Sequence, residues 1–319
     1  MKYLIFLLFI LDKSKITNTF VNKFHKKKFF FYGMKSKFNE PSKKELKINN
    51  NELKENNLLG TFDYKILGYL KKKSSKKYVI INKKNKKIFD IYNIKKKIKN
   101  NKIISISPGG IQGFYFMGIM SFIKKNYDLE NIIFTGASAG AWISLFSSYK
   151  YNITDFVDDI LDYDFTNIKS IMELQVSFKN KILNNYNYTD FNLENIFIGV
   201  TVLKGFELST NIFYNFENLE DAIDCCIASS HIPFLTGGII NKYNNEISFD
   251  GGFSNSPYLE NNNTIFNINP SLWNKKGEKI DFIDYHELSM NSNHNFTKLY
   301  IKGYNNAKKH RSDLDNIFL

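Results

Sequence analysis

Arginine is almost missing from this chain: Arg311 is the only one among 319 residues. Proteins that read nucleic acid use the guanidinium fork for bidentate contacts to bases and phosphates, so nucleic acid is not an expected partner despite a formal net charge of +13. The charge is also unevenly placed. Residues 1–100 hold 27 lysines against 7 acidic residues, whereas residues 101–319 carry a net negative charge. The basicity therefore belongs to an N-terminal arm. Cysteine is as scarce: Cys225 and Cys226 are adjacent in a helix-like run, where no ordinary bridge joins them. A disulfide framework and a C-x-x-C metal site are both excluded, and no metal or cofactor is expected. Nor is there a Walker lysine, because no G-K-[ST] follows any glycine-rich turn.

Long apolar runs are missing too. Tyr3 to Leu11 is unbroken but only nine residues long, too short to span a bilayer as a helix. It follows Lys2 as a secretory h-region would, yet no A-x-A-like cleavage site comes after it. An interfacial anchor and a buried strand are the other readings. Residues 1–60 then form a polar, Lys/Asn-rich arm, and the cluster His25 to Phe31 mixes lysine with phenylalanine in a way that suits an anionic membrane surface. The same cluster also reads as a solvated low-complexity run. Residues 61–319 form the folded domain, with an apolar fraction for the whole chain of 43%, ordinary for a packed core. Short apolar pieces at 78–82 and 88–92 read as edge strands or a hairpin ahead of it.

From Lys102 onward the pattern becomes regular. Strand 103–107, helix 112–125, strand 131–135 and helix 138–149 make a βαβα unit, which predicts an α/β fold with a parallel sheet. Residues 155–163 and 167–185 read as helices, 196–203 and 208–215 as strands, 219–229 as a helix, and 247–249 as a short strand ending at Asp250.

Three segments carry chemistry. Gly136-Ala137-Ser138-Ala139-Gly140 sets a serine between small residues at a strand-to-helix turn, where its hydroxyl would be exposed at a helix N-terminus. Serine is a weak nucleophile without a base to take its proton and donors to hold an oxyanion. Pro108-Gly109-Gly110-Ile111-Gln112-Gly113 follows the first strand and can aim backbone N–H groups at an anion. It also resembles a nucleotide-binding turn, but the second strand ends in the elbow serine where a dinucleotide site would want an acid. Asp250-Gly251-Gly252 sets an acid at a strand end, as a base for Ser138 or as an Asx-turn.

In their order and spacing these segments resemble the patatin-like phospholipase family, together with Ala228-Ser229-Ser230-His231-Ile232-Pro233-Phe234 ahead of the acid strand. The resemblance covers residues 102 to about 260, with a looser match near Leu299 to Tyr304. It implies a three-layer α/β/α fold with a mainly parallel central sheet and a Ser-Asp dyad: Ser138 as nucleophile, Asp250 as base, and the N–H groups of Gly109 and Gly110 as oxyanion hole. Gly113, Gly136, Gly140, Gly251 and Gly252 match its supporting positions. The implied activity is hydrolysis of fatty acyl esters of membrane lipids at a membrane surface. Two positions depart from the family's pattern. Proline stands at 108, where glycine is usual, and glutamine at 112, where Arg or Lys is common.

Other readings follow from the same residues. An α/β-hydrolase triad runs in the order Ser, acid, His, and His286, His294 and His310 all lie downstream of Ser138, although polar flanks mark them as surface histidines. His231, beside Ile232-Pro233, reads as structural. A catalytically weak lipid-binding protein relying on the basic arm is the competing class, and acyl transfer to a second lipid would use the same dyad. The number of subunits is not legible.

Overall fold

The computed structural model describes residues 78–84, 91–162, 168, 170–204, 207–273 and 296–319. The apolar run at 3–11, the arm at 1–60, His286 and His294 lie outside them.

Strand β1 (Tyr78–Asn82) and helix α1 (Ile91–Asn100) lead into β2 (Lys102–Ile106), α2 (Gly113–Asn126), β3 (Ile132–Gly136) and α3 (Ala139–Ser147). Helices α4 (Ile153–Leu161) and α5 (Ile171–Asn185) precede β4 (Ile196–Lys204), β5 (Glu207–Tyr214) and α6 (Leu219–Ser229). The short strands β6 (Asn241–Tyr243), β7 (Glu246–Phe249) and β8 (Thr264–Ile268) and the helices α7 (Phe296–Lys309) and α8 (Arg311–Phe318) complete the described chain.

The sheet runs in the order β1-β5-β4-β3-β2-β8, with β6 and β7 attached beside β4. Strands β8, β2, β3 and β4 are mutually parallel, while β5 runs against β4 and is parallel to β1. The result is a mixed α/β structure with a mostly parallel central sheet flanked by helices, as the βαβα pattern predicts. Parallel strands covered on both faces are mostly apolar, and in β2 and β3 Ile103, Ile104, Ile106 and Ile133 are fully buried, with Ser105 and Thr135 as buried polar exceptions. Alternate residues serve opposite faces. Ile103, Ile133, Phe197 and Ile212 pack with Ile98 of α1 on one side. Ile104, Phe134, Ile198 and Phe213 join residues of α2, α3 and α6 in the larger core on the other.

One local expectation is corrected. Residues 78–82 form the expected edge strand, paired in parallel with β5, whereas the described part of the piece at 88–92, Ile91 and Tyr92, opens α1 and is not strand. Ile91, Ile94 and Ile98 recur every three or four residues among lysines, a helical period that outweighs the local apolar run.

Glycines let α2 and α7 cross closely: a Cβ on Gly118 would fall 2.0 Å from the carbonyl oxygen of Tyr300, and one on Gly303 the same distance from that of Tyr115. Cys225 and Cys226 are both buried in α6, free, and held well above the ordinary thiol range by burial. Among the described residues no helix is long and apolar enough to cross a membrane.

Candidate active site

The register of the sheet builds the site. Ile106 of β2 pairs with Gly136 of β3, so the Pro108-Gly109-Gly110 loop and the Ala137-Ser138 turn leave neighbouring parallel strands at one level. Such carboxyl-end crevices are where open α/β sheets bind ligands. The first part of β4 pairs with β3, ending at Gly136 opposite Ile198. Further along, β4 pairs with β7, which runs the other way and ends with Phe249 opposite Thr201. Two strands thus approach head to head along β4, and their ends bring Ser138 and Asp250 together over Gly199 and Val200.

Ser138 has φ 54° and ψ −125°, a left-handed conformation rare for a residue with a side chain. The strain persists because the surroundings over-determine it. A Cβ on Gly136 would lie 2.2 Å from the carbonyl oxygen of Gly140, and one on Gly140 would lie 2.0 Å from that of Ile106. The turn can therefore close only with small residues at both ends. The backbone N–H of Ser138 donates to Oγ of Ser229 at 2.8 Å, and the Ser229 hydroxyl donates to the carbonyl of Gly199 at 2.7 Å. Ser138 itself is the N-cap of α3 and is buried.

Oγ of Ser138 donates to Oδ2 of Asp250 at 2.5 Å. The other carboxylate oxygen, Oδ1, accepts the Gly252 N–H at 2.6 Å, and the Asp250 N–H donates to the carbonyl of His231 at 2.6 Å. The Asx-turn and the contact to serine therefore coexist, one oxygen for each. Gly251 fits because a Cβ there would meet that of Ala137 at 2.5 Å. Pro108 packs over the same turn, its Cβ 3.3 Å from where a Gly252 Cβ would stand.

Gly109 and Gly110 form the approach to a 3-10 turn, Gly110–Gln112, which opens α2. Gly110 adopts φ 52°, the conformation for which glycine carries no steric penalty. Gly109 has φ −159° and ψ 0° and lies against the Phe116 ring, where a Cβ would come within 2.5 Å. Gly113 is less constrained, with the Ala139 Cβ at 3.3 Å as its nearest neighbour.

Ser138, Asp250 and Gly110 open into a cavity of about 170 Å³. Its walls are apolar: Phe114, Trp142, Leu174, Phe178, Ile182 and Phe296 contribute from four of the helices. Trp142 is fixed by donating Nε1–H to Oγ of Ser230 at 3.2 Å.

Two of the candidate histidines can be located. His231 is 5% exposed, close to Phe249, and burial holds its imidazole below the usual histidine range. His310 stacks on Trp273 and contacts Asp313 through Nδ1 at 3.0 Å. Among the described residues the acceptor for the Ser138 hydroxyl is the Asp250 carboxylate, and no group of three His, Cys, Asp or Glu side chains could hold a metal ion. Gly199 escaped the sequence reading, and Ser229 entered it only as part of the segment 228–234, with no role of its own. A serine in the last turn of a helix and a glycine inside an apolar strand carry no signal until the elbow is seen resting on them.

Residues 104–261 match the family model described as Patatin-like phospholipase. No curated protein matches the chain.

Proposed function

The chain belongs to the patatin-like phospholipase family, which implies hydrolysis of lipid acyl esters, and on that premise we propose a phospholipase A type reaction run by a Ser138–Asp250 dyad. The observation that carries the proposal is the 2.5 Å hydrogen bond from Ser138 Oγ to Asp250 Oδ2 in the wall of an apolar cavity. A base within hydrogen-bond reach is the first requirement for activating a serine.

In this reading the acyl chain of a membrane phospholipid or related acyl lipid lies along Phe114, Trp142, Leu174 and Phe178, with its ester carbonyl at Ser138. Oγ attacks the carbonyl carbon as its proton passes to Oδ2 of Asp250. The tetrahedral oxyanion faces the N–H groups of Gly109 and Gly110, which donate to no protein acceptor among the described residues. Pro108 has no N–H to add. Collapse expels the lysolipid alkoxide, which takes the proton from Asp250 and leaves an acyl ester on Ser138. Water then attacks that ester, Asp250 accepts its proton, and the fatty acid departs as Ser138 is re-protonated. The Gly252 N–H at Oδ1 leaves Oδ2 for the proton transfers.

The test is incubation of the full chain with vesicles of mixed phospholipids, galactolipids and glycerides, read by mass spectrometry. The expected products are free fatty acid and lysolipid in equal amounts, lost by about 10³-fold or more in Ser138→Ala and Asp250→Asn. Acylated glyceride or other transferred products in place of free acid would favour acyl transfer. Products undiminished in both variants would overturn the dyad.

A further inference from the structure

Large exposed apolar side chains are few in the described chain, and half of them gather in one place. Eight stand exposed: Val79, Tyr151, Met172, Val176, Phe234, Ile240, Ile301 and Leu319. Met172, Val176 and Ile240 line a second cavity, of about 200 Å³, between α5 and the loop that follows α6. Phe234 lies in that same loop, between Ile232 and Leu235, which line the cavity of Ser138. The two cavities share Gln175 and Thr236 in their walls.

The arrangement runs against solubility. Phe234 is 54% exposed and sits at φ 68°, a conformation strained for a bulky residue. Met172 and Val176, 48% and 47% exposed, lie one turn apart on α5. The cavity-lining side of the same helix carries Leu174, Phe178 and Ile182, so α5 is apolar on two sides. Its lysines are already engaged: Lys179 with Glu220 and Asp224 on α6, and Lys181 with Asp159 on α4, at 2.6–3.2 Å. Outward, α5 carries Met172 and Val176 beside exposed Glu173 and Asn180, with no unpaired lysine among them. Clustered exposed apolar residues mark a protein, ligand or membrane contact.

We propose that Met172, Val176, Phe234 and Ile240 form the face that inserts into a lipid bilayer, so that the cavity of Ser138 opens onto the surface holding its substrate. A bilayer is favoured over a protein partner by continuity: the face shares its rim with the cavity that the preceding section fills with an acyl chain. The choice of partner rests on that reading, whereas the insertion itself can be measured without catalysis.

Flotation of the full-length Ser138→Ala protein with phosphatidylcholine vesicles isolates the face. Neutral lipid in about 1 M salt, where the Debye length is about 3 Å, silences the N-terminal lysines. Bound protein is expected to fall about tenfold or more when Met172→Ser, Val176→Ser, Phe234→Ser and Ile240→Ser are combined. In an otherwise wild-type background those four changes should leave hydrolysis of a soluble butyrate ester within about twofold, which also reports that the protein is folded. Separately, Phe234→Trp should show a blue-shifted emission when vesicles are added. Unchanged flotation of the quadruple variant, or an emission that vesicles do not shift in Phe234→Trp, would overturn the proposal. A dimer that the quadruple variant dissociates in the absence of lipid would also overturn it, by assigning the face to a second copy of the chain. Vesicle binding that depends on the four residues, in a wild-type chain with no esterase activity, would support the face and sink the dyad alone.

Discussion

The Ser229 hydroxyl lies between the backbone N–H of Ser138, which it accepts at 2.8 Å, and the Gly199 carbonyl, to which it donates at 2.7 Å. One buried hydroxyl thereby ties the strained turn to the middle of β4, the strand along which β3 and β7 meet. Removing it leaves two buried backbone groups without their partner, a loss on the order of 1–3 kcal/mol.

Ser229→Ala should therefore lower unfolding free energy by about that amount. It should also cut kcat for a soluble ester by roughly tenfold, with KM less affected, because the turn that aims Oγ loses its support. Urea denaturation and steady-state kinetics on the same preparation check both. A kcat equal to wild type would mean that the turn holds itself.

Glycine substitutions should separate two positions that look alike as sequence. A Cβ at Gly140 would stand 2.0 Å from the Ile106 carbonyl oxygen, whereas one at Gly113 meets only the Ala139 Cβ at 3.3 Å. Gly140→Ala should destabilise by about 1–3 kcal/mol or more, and Gly113→Ala by less than about 1 kcal/mol, offset in part by the better helix propensity of alanine. Denaturant midpoints read the difference.

The elbow and the acid turn were legible in the sequence because their geometry leaves little chemical choice. Only small residues fit where Gly136, Gly140 and Gly251 face neighbouring backbone or Ala137. The alternation from Lys102 onward likewise predicts the parallel part of the sheet, since strands buried on both faces are mostly apolar. What stayed hidden depends on contacts between distant segments. The parallel pairing of β1 with β5 leaves no local mark. Leu174, Phe178 and Ile182 line a cavity but have the spacing of any core-facing helix. Gly199 reads as a weak spot in a strand until the Pro257 carbonyl is found 1.7 Å from where its Cβ would be.

His231 should make the fold sensitive to acid. Burial holds its folded pKa below the unfolded value of about 6.5. Above that pH the ring is neutral in both states and adds no pH dependence. As pH falls through about 6.5 the unfolded chain takes up a proton that the folded one resists, and stability drops until the folded pKa is passed. Between pH 7.5 and 5.5 the wild type should lose more stability than His231→Gln, measured by urea unfolding at both values. Equal losses would mean that His231 does not set the acid sensitivity of the fold.

Filling the cavity should shift chain-length preference. Leu174→Trp adds bulk to the wall beside Phe178, so kcat/KM for a hexadecanoyl ester should fall by about tenfold relative to a butyryl ester. Parallel losses for both esters would indicate a damaged site in place of a narrowed one.

The proposed role of Ser138 as acyl carrier, activated by Asp250, predicts its own covalent trace: the full chain is reacted with a fluorophosphonate and the adduct located by peptide mass spectrometry. One adduct per chain on Ser138 is predicted, slowed by about 10³-fold in Asp250→Asn. Labelling on another residue, or labelling of Ser138 at the wild-type rate without the Asp250 carboxylate, would contradict it.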